Sequence, residues 1–302
     1  MKQQQIVGAG LLLSLLLCGC STIDMHRDRP EYSIGVVLKA QNSPYWLDMS
    51  SGMQQAATDY GIDMTLLYPE GEQEGEEQKS LIADILDSDV DLMMVAPCDS
   101  YDTEWFIEKA KMQDIDVLTV DTRAMDAELP YIGSDNVLFG KMVAEYFNER
   151  LKPGSTILLL YGPEKQSSII ERDQAIREYL DSDIHIQGVQ YTELDEENGY
   201  LLIQQLEQPV DGIYCQNAVL ARGVVEALTE KDWNSKVISV DTEDDAVQLL
   251  KDGAMDAMVI QNGYEIGYQS IELALETLRS GEQPEDMLFD GELLTVQDTG
   301  GN

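Results

Sequence analysis

From residue 32 onward, short apolar runs alternate with stretches of helical period, and that alternation restricts the fold more than any other feature of the chain. The runs lie at 34–38, 64–67, 92–96, 117–120, 157–160, 184–189, 212–214, 237–240 and 257–260. Most are apolar at nearly every position, whereas a strand with one wet face alternates apolar and polar residues. Strands buried on both faces, with a helix between each pair, describe a parallel sheet covered on both sides. The intervening stretches supply those helices. Trp46, Met49, Met53, Ala56, Ala57 and Tyr60 recur at steps of three and four before Gly61, as do Tyr264, Gly267, Ile271, Ala274, Leu275 and Leu278 before Gly281. Each set is a core-facing stripe ended by a glycine.

So many strand–helix steps exceed one comfortable sheet. Lys152-Pro153-Gly154 interrupts the chain near its middle and the alternation restarts after it, so two α/β lobes are expected. With 43% hydrophobic residues the chain can bury a core in each. The charge is lopsided: 57 acidic against 19 basic residues give a formal net charge of −38. Such a field repels polyanions, which excludes nucleic acid and disfavours an anionic membrane surface or a sugar phosphate. The acidic runs at 70–77, 193–197 and 241–245 are expected to be solvated loops or helix starts, since none has the spacing of a calcium loop.

The first 20 residues set the compartment. Lys2 is the only charge before Asp24, and residues 6–17 are an apolar run too short to cross a bilayer, as in a secretory leader. The run ends Leu17-Cys18-Gly19-Cys20, which resembles a bacterial lipobox with Cys20 as the acylated residue. A leader over 1–19 and a lipidated tether over 20–31 are therefore expected, anchoring the chain outside the cytoplasm by its lipid alone. Two cysteines remain, Cys98 and Cys215, each following an apolar run in a different half. Buried free thiols are expected there in preference to a bridge.

Nothing in the chain spells out catalysis. There are two histidines, His26 in the tether and His185 beside an apolar run, and neither a Gly-x-Ser-x-Gly elbow, a phosphate-cradling glycine loop nor a zinc-type spacing occurs. No enzyme activity, metal or cofactor is expected. What remains is a series of polar residues at the C-terminal ends of the apolar runs, where open parallel sheets bind ligands.

In order these are Gln41-Asn42-Ser43-Pro44-Tyr45-Trp46, Ala96-Pro97-Cys98-Asp99-Ser100, Asp121-Thr122-Arg123, Tyr131-Ile132-Gly133-Ser134-Asp135-Asn136, Gln216-Asn217-Ala218, Val240-Asp241-Thr242 and Gln261-Asn262-Gly263-Tyr264. The sequence resembles the periplasmic sugar-binding proteins of the ribose- and galactose-binding class, the receptors of ABC importers, from residue 32 to about 296. The resemblance implies a type I periplasmic binding protein: α/β, two Rossmann-like lobes with parallel sheets joined by a three-strand hinge. The chain would cross near 133–136, 261–263 and 290, making one lobe of 32–134 with 262–290 and the other of 135–261 with 291–302.

Carried over residue by residue, the resemblance implies stacking plates at Tyr45 and Trp46 and a hydroxyl-binding carboxylate at Asp121. It adds polar contacts from Arg172, Asn217, Asp241 and Gln261. A sugar has an apolar C–H face and a rim of hydroxyls, so aromatic plates and planar polar groups are the chemistry it needs. Asn136 and Asn217 also begin helices, where an Asn can serve as a cap. The chain departs from the ribose pattern at Ala96, Thr122, Ala218 and Val240, which points to a sugar or polyol other than ribose. The implied function is a monomeric, lipid-anchored receptor handing a neutral sugar to an ABC permease. The alternatives are a sensor presenting its closed state to a histidine kinase, or a receptor for a non-sugar such as an autoinducer or nucleoside.

Overall fold

The structure, a computed structural model, describes residues 30–241 and 244–298. The leader 1–19, the acyl site Cys20 and the tether up to residue 29 lie outside the described residues, as do 299–302. The chain begins a first sheet with β1 (Ser33–Val37), α1 (Pro44–Tyr60), β2 (Asp63–Leu67), α2 (Gly75–Leu86), β3 (Leu92–Val95), α3 (Glu104–Met112), β4 (Asp116–Val120) and β5 (Tyr131–Ser134). It then crosses to a second unit, with α4 (Asn136–Arg150), β6 (Thr156–Tyr161), α5 (Ser167–Tyr179), β7 (His185–Tyr191), α6 (Glu196–Gln204), β8 (Gly212–Cys215), α7 (Ala218–Glu230), β9 (Lys236–Val240), α8 (Asp244–Lys251) and β10 (Ala257–Ile260). A return crossing leads to α9 (Gly263–Ser280) and β11 (Met287–Phe289), and a last one to β12 (Glu292–Thr295).

The strand orders are β11-β5-β4-β3-β1-β2 and β12-β10-β9-β8-β6-β7. Every pairing is parallel except β12 against β10. The two sheets thus repeat one topology, α/β with right-sized crossovers for parallel pairing. The first sheet buries Ile34, Val36 and Leu118 with Met49, Met53 and Ile271 on one face. Its other face packs Val37 and Met93 against Ile82, Ile85 and Phe106. The second sheet is covered in the same way by α6 and α7 on one side and α4 and α5 on the other. The edge strands β2 and β7 are half wet, and His185 is exposed at the start of β7.

All nine apolar runs are strands, but β5, β11 and β12 are strands with no such run behind them. Tyr131-Ile132-Gly133-Ser134 is fully buried although half its residues are small or polar. The Lys152–Gly154 break is a turn joining α4 to β6 within the second unit, with Gly154 at φ 88°. The actual crossing lies between Ser134 and Asn136.

Why α9 returns to the first unit is visible in its contact with α1. A Cβ at Gly52 would stand 2.1 Å from the Tyr264 carbonyl oxygen, and one at Gly267 would stand 2.1 Å from that of Met49. Glycine at both points lets the two backbones touch, and no other residue would. Cys98 and Cys215 are buried free thiols in different units, and burial pushes the Cys98 thiol up to about 12.

Candidate ligand-binding site

The C-terminal ends of the two sheets face each other across a cavity of about 310 Å³. That volume is at the lower end of small-ligand sites, ~300–1,000 Å³. Tyr45, Trp46, Asp121, Arg172, Asn217, Asp241 and Gln261 all line it, so the structure brings the seven residues expected to touch a ligand to one place.

The wall from the first unit is aromatic and ionic. Pro44 occupies the first turn of α1, where its missing N–H costs nothing, and the turn sets Tyr45 and Trp46 beside the cavity with ring centroids 5.2 Å apart, edge to face. The Tyr45 hydroxyl donates to Asp121 Oδ1 (2.8 Å) and the Trp46 indole N–H to Glu72 Oε1 (3.0 Å). Asp121 Oδ2 accepts from Thr122 Oγ1 (2.7 Å) and lies 3.1 Å from Lys39 Nζ. Lys39 closes the cluster, 3.6 Å from Glu72 and donating to Gln166 Oε1 at 2.8 Å from the opposite wall. Burial alone would push Lys39 down and Asp121 up. Burial is the largest single influence on each, and their mutual attraction outweighs it only together with Glu72 for Lys39 and the Thr122 and Tyr45 hydroxyls for Asp121, so the lysine is held above and the aspartate below its ordinary range.

The wall from the second unit carries the amides and hydroxyls of Gln166, Ser168, Gln216 and Asn217 beside the charged Arg172, Glu193, Asp195 and Asp241. Asn217 caps α7, its Oδ1 accepting from Leu220 N (2.9 Å), which leaves its NH2 as the group it can offer the cavity. Arg172 is buried, with Nε donating to Asn136 Oδ1 (2.8 Å) and its guanidinium over the Phe139 ring at 5.1 Å. Asn136 is thus neither a cap nor a ligand group. Asp135 caps α4, while Asn136 orients the arginine and donates to Glu171 at 3.2 Å.

The crossing strands form the floor. Gln261, just past β10, takes Ser134 Oγ on its Oε1 (2.9 Å), has Arg172 Nη2 at 3.4 Å and donates to Asp241 Oδ1. Asp121 and Asp241 hold equivalent positions, directly after β4 and β9, and both are left-handed at φ 61° and 72°. A non-glycine residue there costs roughly 1 kcal/mol. Each sheet accepts that strain where a carboxylate turns into the cavity.

The units also touch outside the cavity. Ser100 N donates to the Lys165 carbonyl (3.0 Å), Ser167 N to Ser100 Oγ (2.9 Å) and Arg123 N to Ser167 Oγ (2.7 Å). Lys165 pairs with Asp99 at 2.7 Å, and Arg123 with Glu171 at 3.2 Å.

Lys39, Glu72 and Gln166 were not among the residues the sequence singled out. A lysine directly after the apolar run 34–38 was a signal that the strand-end rule could have used. The acidic runs hold the other surprise. They do begin α2, α6 and α8, but Glu70, Glu72, Glu74, Glu193, Asp195 and Asp241 also line the cavity, so these runs are not simply solvated loops. Among the described residues, no group of three or more His, Cys, Asp or Glu is placed to hold a metal ion.

A sequence model described as the periplasmic binding protein domain matches residues 34–283. The chain is 25% identical over 287 residues to the ribose import binding protein RbsB of Bacillus subtilis, covering 91% of this chain and 93% of that one. It is 24% identical over 282 residues to the D-allose-binding periplasmic protein of Escherichia coli, covering 86% and 91%. Among solved structures, the myo-inositol binding protein of Caulobacter, bound to myo-inositol, superposes with a TM-score of 0.82 at 21% identity, covering 89% of this chain and 95% of that one. A carbohydrate transporter solute binding protein of Agrobacterium radiobacter, in complex with D-arabinose, gives 0.82 at 20% identity with the same coverage.

Proposed function

The chain belongs to the periplasmic binding protein family, and from that premise we propose that it is the lipid-anchored, extracytoplasmic receptor of a carbohydrate ABC importer, closing on a neutral sugar or polyol. The family is one of binding proteins, so the chain is not an enzyme. The observation that carries the proposal is the cavity between the sheets. It combines an aromatic pair with carboxylate, guanidinium and amide groups, the set that a ring with one apolar face and a hydroxyl rim requires. The names of the relatives support a sugar, and those relatives bind ribose or allose.

The excess of carboxylates at the cavity argues against a sugar phosphate. Burial of a ligand between two lobes accounts for the three crossing strands, which act as a hinge and divide the chain into 32–134 with 262–290 and 135–261 with 291–302. Acylation at Cys20 after removal of 1–19 would hold the receptor beside its permease.

A thermal-shift screen of neutral sugars, polyols and nucleosides on the chain from Ser21 tests the proposal. A ligand selective for the folded state at 100 times its Kd adds about 2.7 kcal/mol. Stabilisation by a pentose, hexose or cyclitol is expected; none from any sugar or polyol would sink the proposal, and stabilisation by a nucleoside alone would replace it.

A further inference from the structure

We propose that Gln166 is a specificity-determining residue: its amide NH2 donates to one oxygen of the bound sugar, and its amide oxygen ties that contact to Lys39 across the cleft. The inference rests on the sugar-receptor function above. Gln166 lines the cavity from the second unit and is 1% exposed. Its Oε1 lies 2.8 Å from Lys39 Nζ. An ammonium only donates, so the atom facing it must be the carbonyl oxygen, and that fixes which way the amide points. The other end, Nε2, is buried and has no hydrogen-bond partner among the described residues.

A buried donor left unmade costs free energy, and buried polar groups in folded chains almost always find partners. A donor held open beside a cavity is one that a ligand oxygen completes. Position strengthens the point. Gln166 is the residue before α5, where Ser, Thr, Asn and Asp are favoured because they cap the helix, yet its side chain makes no cap bond. Its neighbours on both sides are pinned to the first unit, Lys165 through its carbonyl to Ser100 N and Ser167 through its N–H and hydroxyl to Ser100 and Arg123. The amide is therefore in place only when the lobes meet. It selects for a ligand that brings an acceptor oxygen beside the Lys39–Asp121 pair.

Two substitutions separate the donor from the cross-lobe tie. Gln166→Glu keeps an oxygen for Lys39 and removes the NH2, whereas Gln166→Met removes both. The probes are D-ribose, D-allose and myo-inositol with their monodeoxy derivatives, titrated by calorimetry. For a sugar that binds the wild-type chain, Gln166→Glu is expected to weaken binding about tenfold. At one hydroxyl the loss from deoxygenation and the loss from Gln166→Glu should fail to add, as for two halves of one contact. If Gln166→Glu binds every probe as the wild type does while Gln166→Met does not, the residue is a tie between lobes and the proposal is wrong. Additive losses at every hydroxyl overturn it as well. If neither these probes nor any other neutral sugar or polyol of the thermal-shift screen binds the wild-type chain, the sugar-receptor function itself fails and this inference falls with it; if another sugar binds, that sugar and its monodeoxy derivatives are the probes.

Discussion

The two walls of the cleft are built from the same positions of the same topology and yet do different chemistry. On the first wall, Lys39, Asp121, Glu72, Tyr45 and Trp46 bond to one another before any ligand arrives. On the second, the neutral Gln166, Ser168, Gln216 and Asn217 stand beside the charged Arg172, Glu193, Asp195 and Asp241, and the Gln166 amide NH2 has no partner among the described residues. The first wall is thus a preorganised cradle in which one lysine is shared by two carboxylates, Asp121 and Glu72. The second supplies directional donors that matter once the lobes meet. Specificity is then expected to reside in the amides and hydroxyls of the second wall and rigidity in the Lys39–Asp121 cluster of the first, because a buried polar site discriminates by the partners it leaves unpaired.

The largest effect should come from taking the Lys39–Asp121 cluster apart. Asp121→Ala strands a buried Lys39 with Glu72 at 3.6 Å as its nearest remaining carboxylate. Breaking a buried pair costs about 3–5 kcal/mol, so urea unfolding should shift by that order and sugar binding should be lost. Asn217→Ala on the second wall removes one helix cap and should cost about 1 kcal/mol of stability, with a binding defect larger than its stability defect. Equal stability losses from the two substitutions would erase the contrast between the walls. Tyr45→Phe removes a single hydroxyl from Asp121, which keeps Thr122 and Lys39, and should cost about 0.5–1.5 kcal/mol in the same assay.

Titration should show the smallest effect. Asp121 sits below its ordinary range, so the stability it contributes is present above about pH 4 and is lost only as acid protonates it at its lowered value. Lys39 sits above its ordinary range, so its contribution is complete below about pH 10 and is lost only as base takes its proton at the raised value. Binding and stability due to this pair should therefore be flat from about pH 5 to 9. A midpoint within that window that disappears in Lys39→Met would show that the pair is not matched as described.

How much of this the sequence displays depends on the range over which each feature acts. Runs such as 34–38 and 157–160 are buried on both faces, so local composition alone declares them strands. β5 and β11 pair with each other at one side of the first sheet although they are far apart in sequence, and Gly133, Ser134 and three residues at 287–289 carry too little apolar length to show it. Six of the seven expected ligand residues follow the C-terminal ends of parallel strands, a position that already implies a ligand-facing edge, whereas Arg172 lies inside α5 and came from the family resemblance alone. Lys39 stands directly after the apolar run 34–38, and nothing near it in sequence announces Asp121 or Gln166 as partners. The acidic runs looked solvated for a similar reason. Each is polar by itself, and their convergence comes from placing the loops after β2, β7 and β9 at the facing edges of two sheets.

The crossings have a consequence for the order of assembly. The first sheet needs β11, and the face of α1 around Met49 and Met53 is covered by α9, so residues 263–289 must arrive before that unit is complete. The second sheet gains its last edge only with β12. Neither sheet is complete without a strand far along the chain, and contacts this distant in sequence are slow to close. The polypeptide can therefore complete the first sheet only once residue 289 is available and the second only once residue 295 is, so its two units finish almost together.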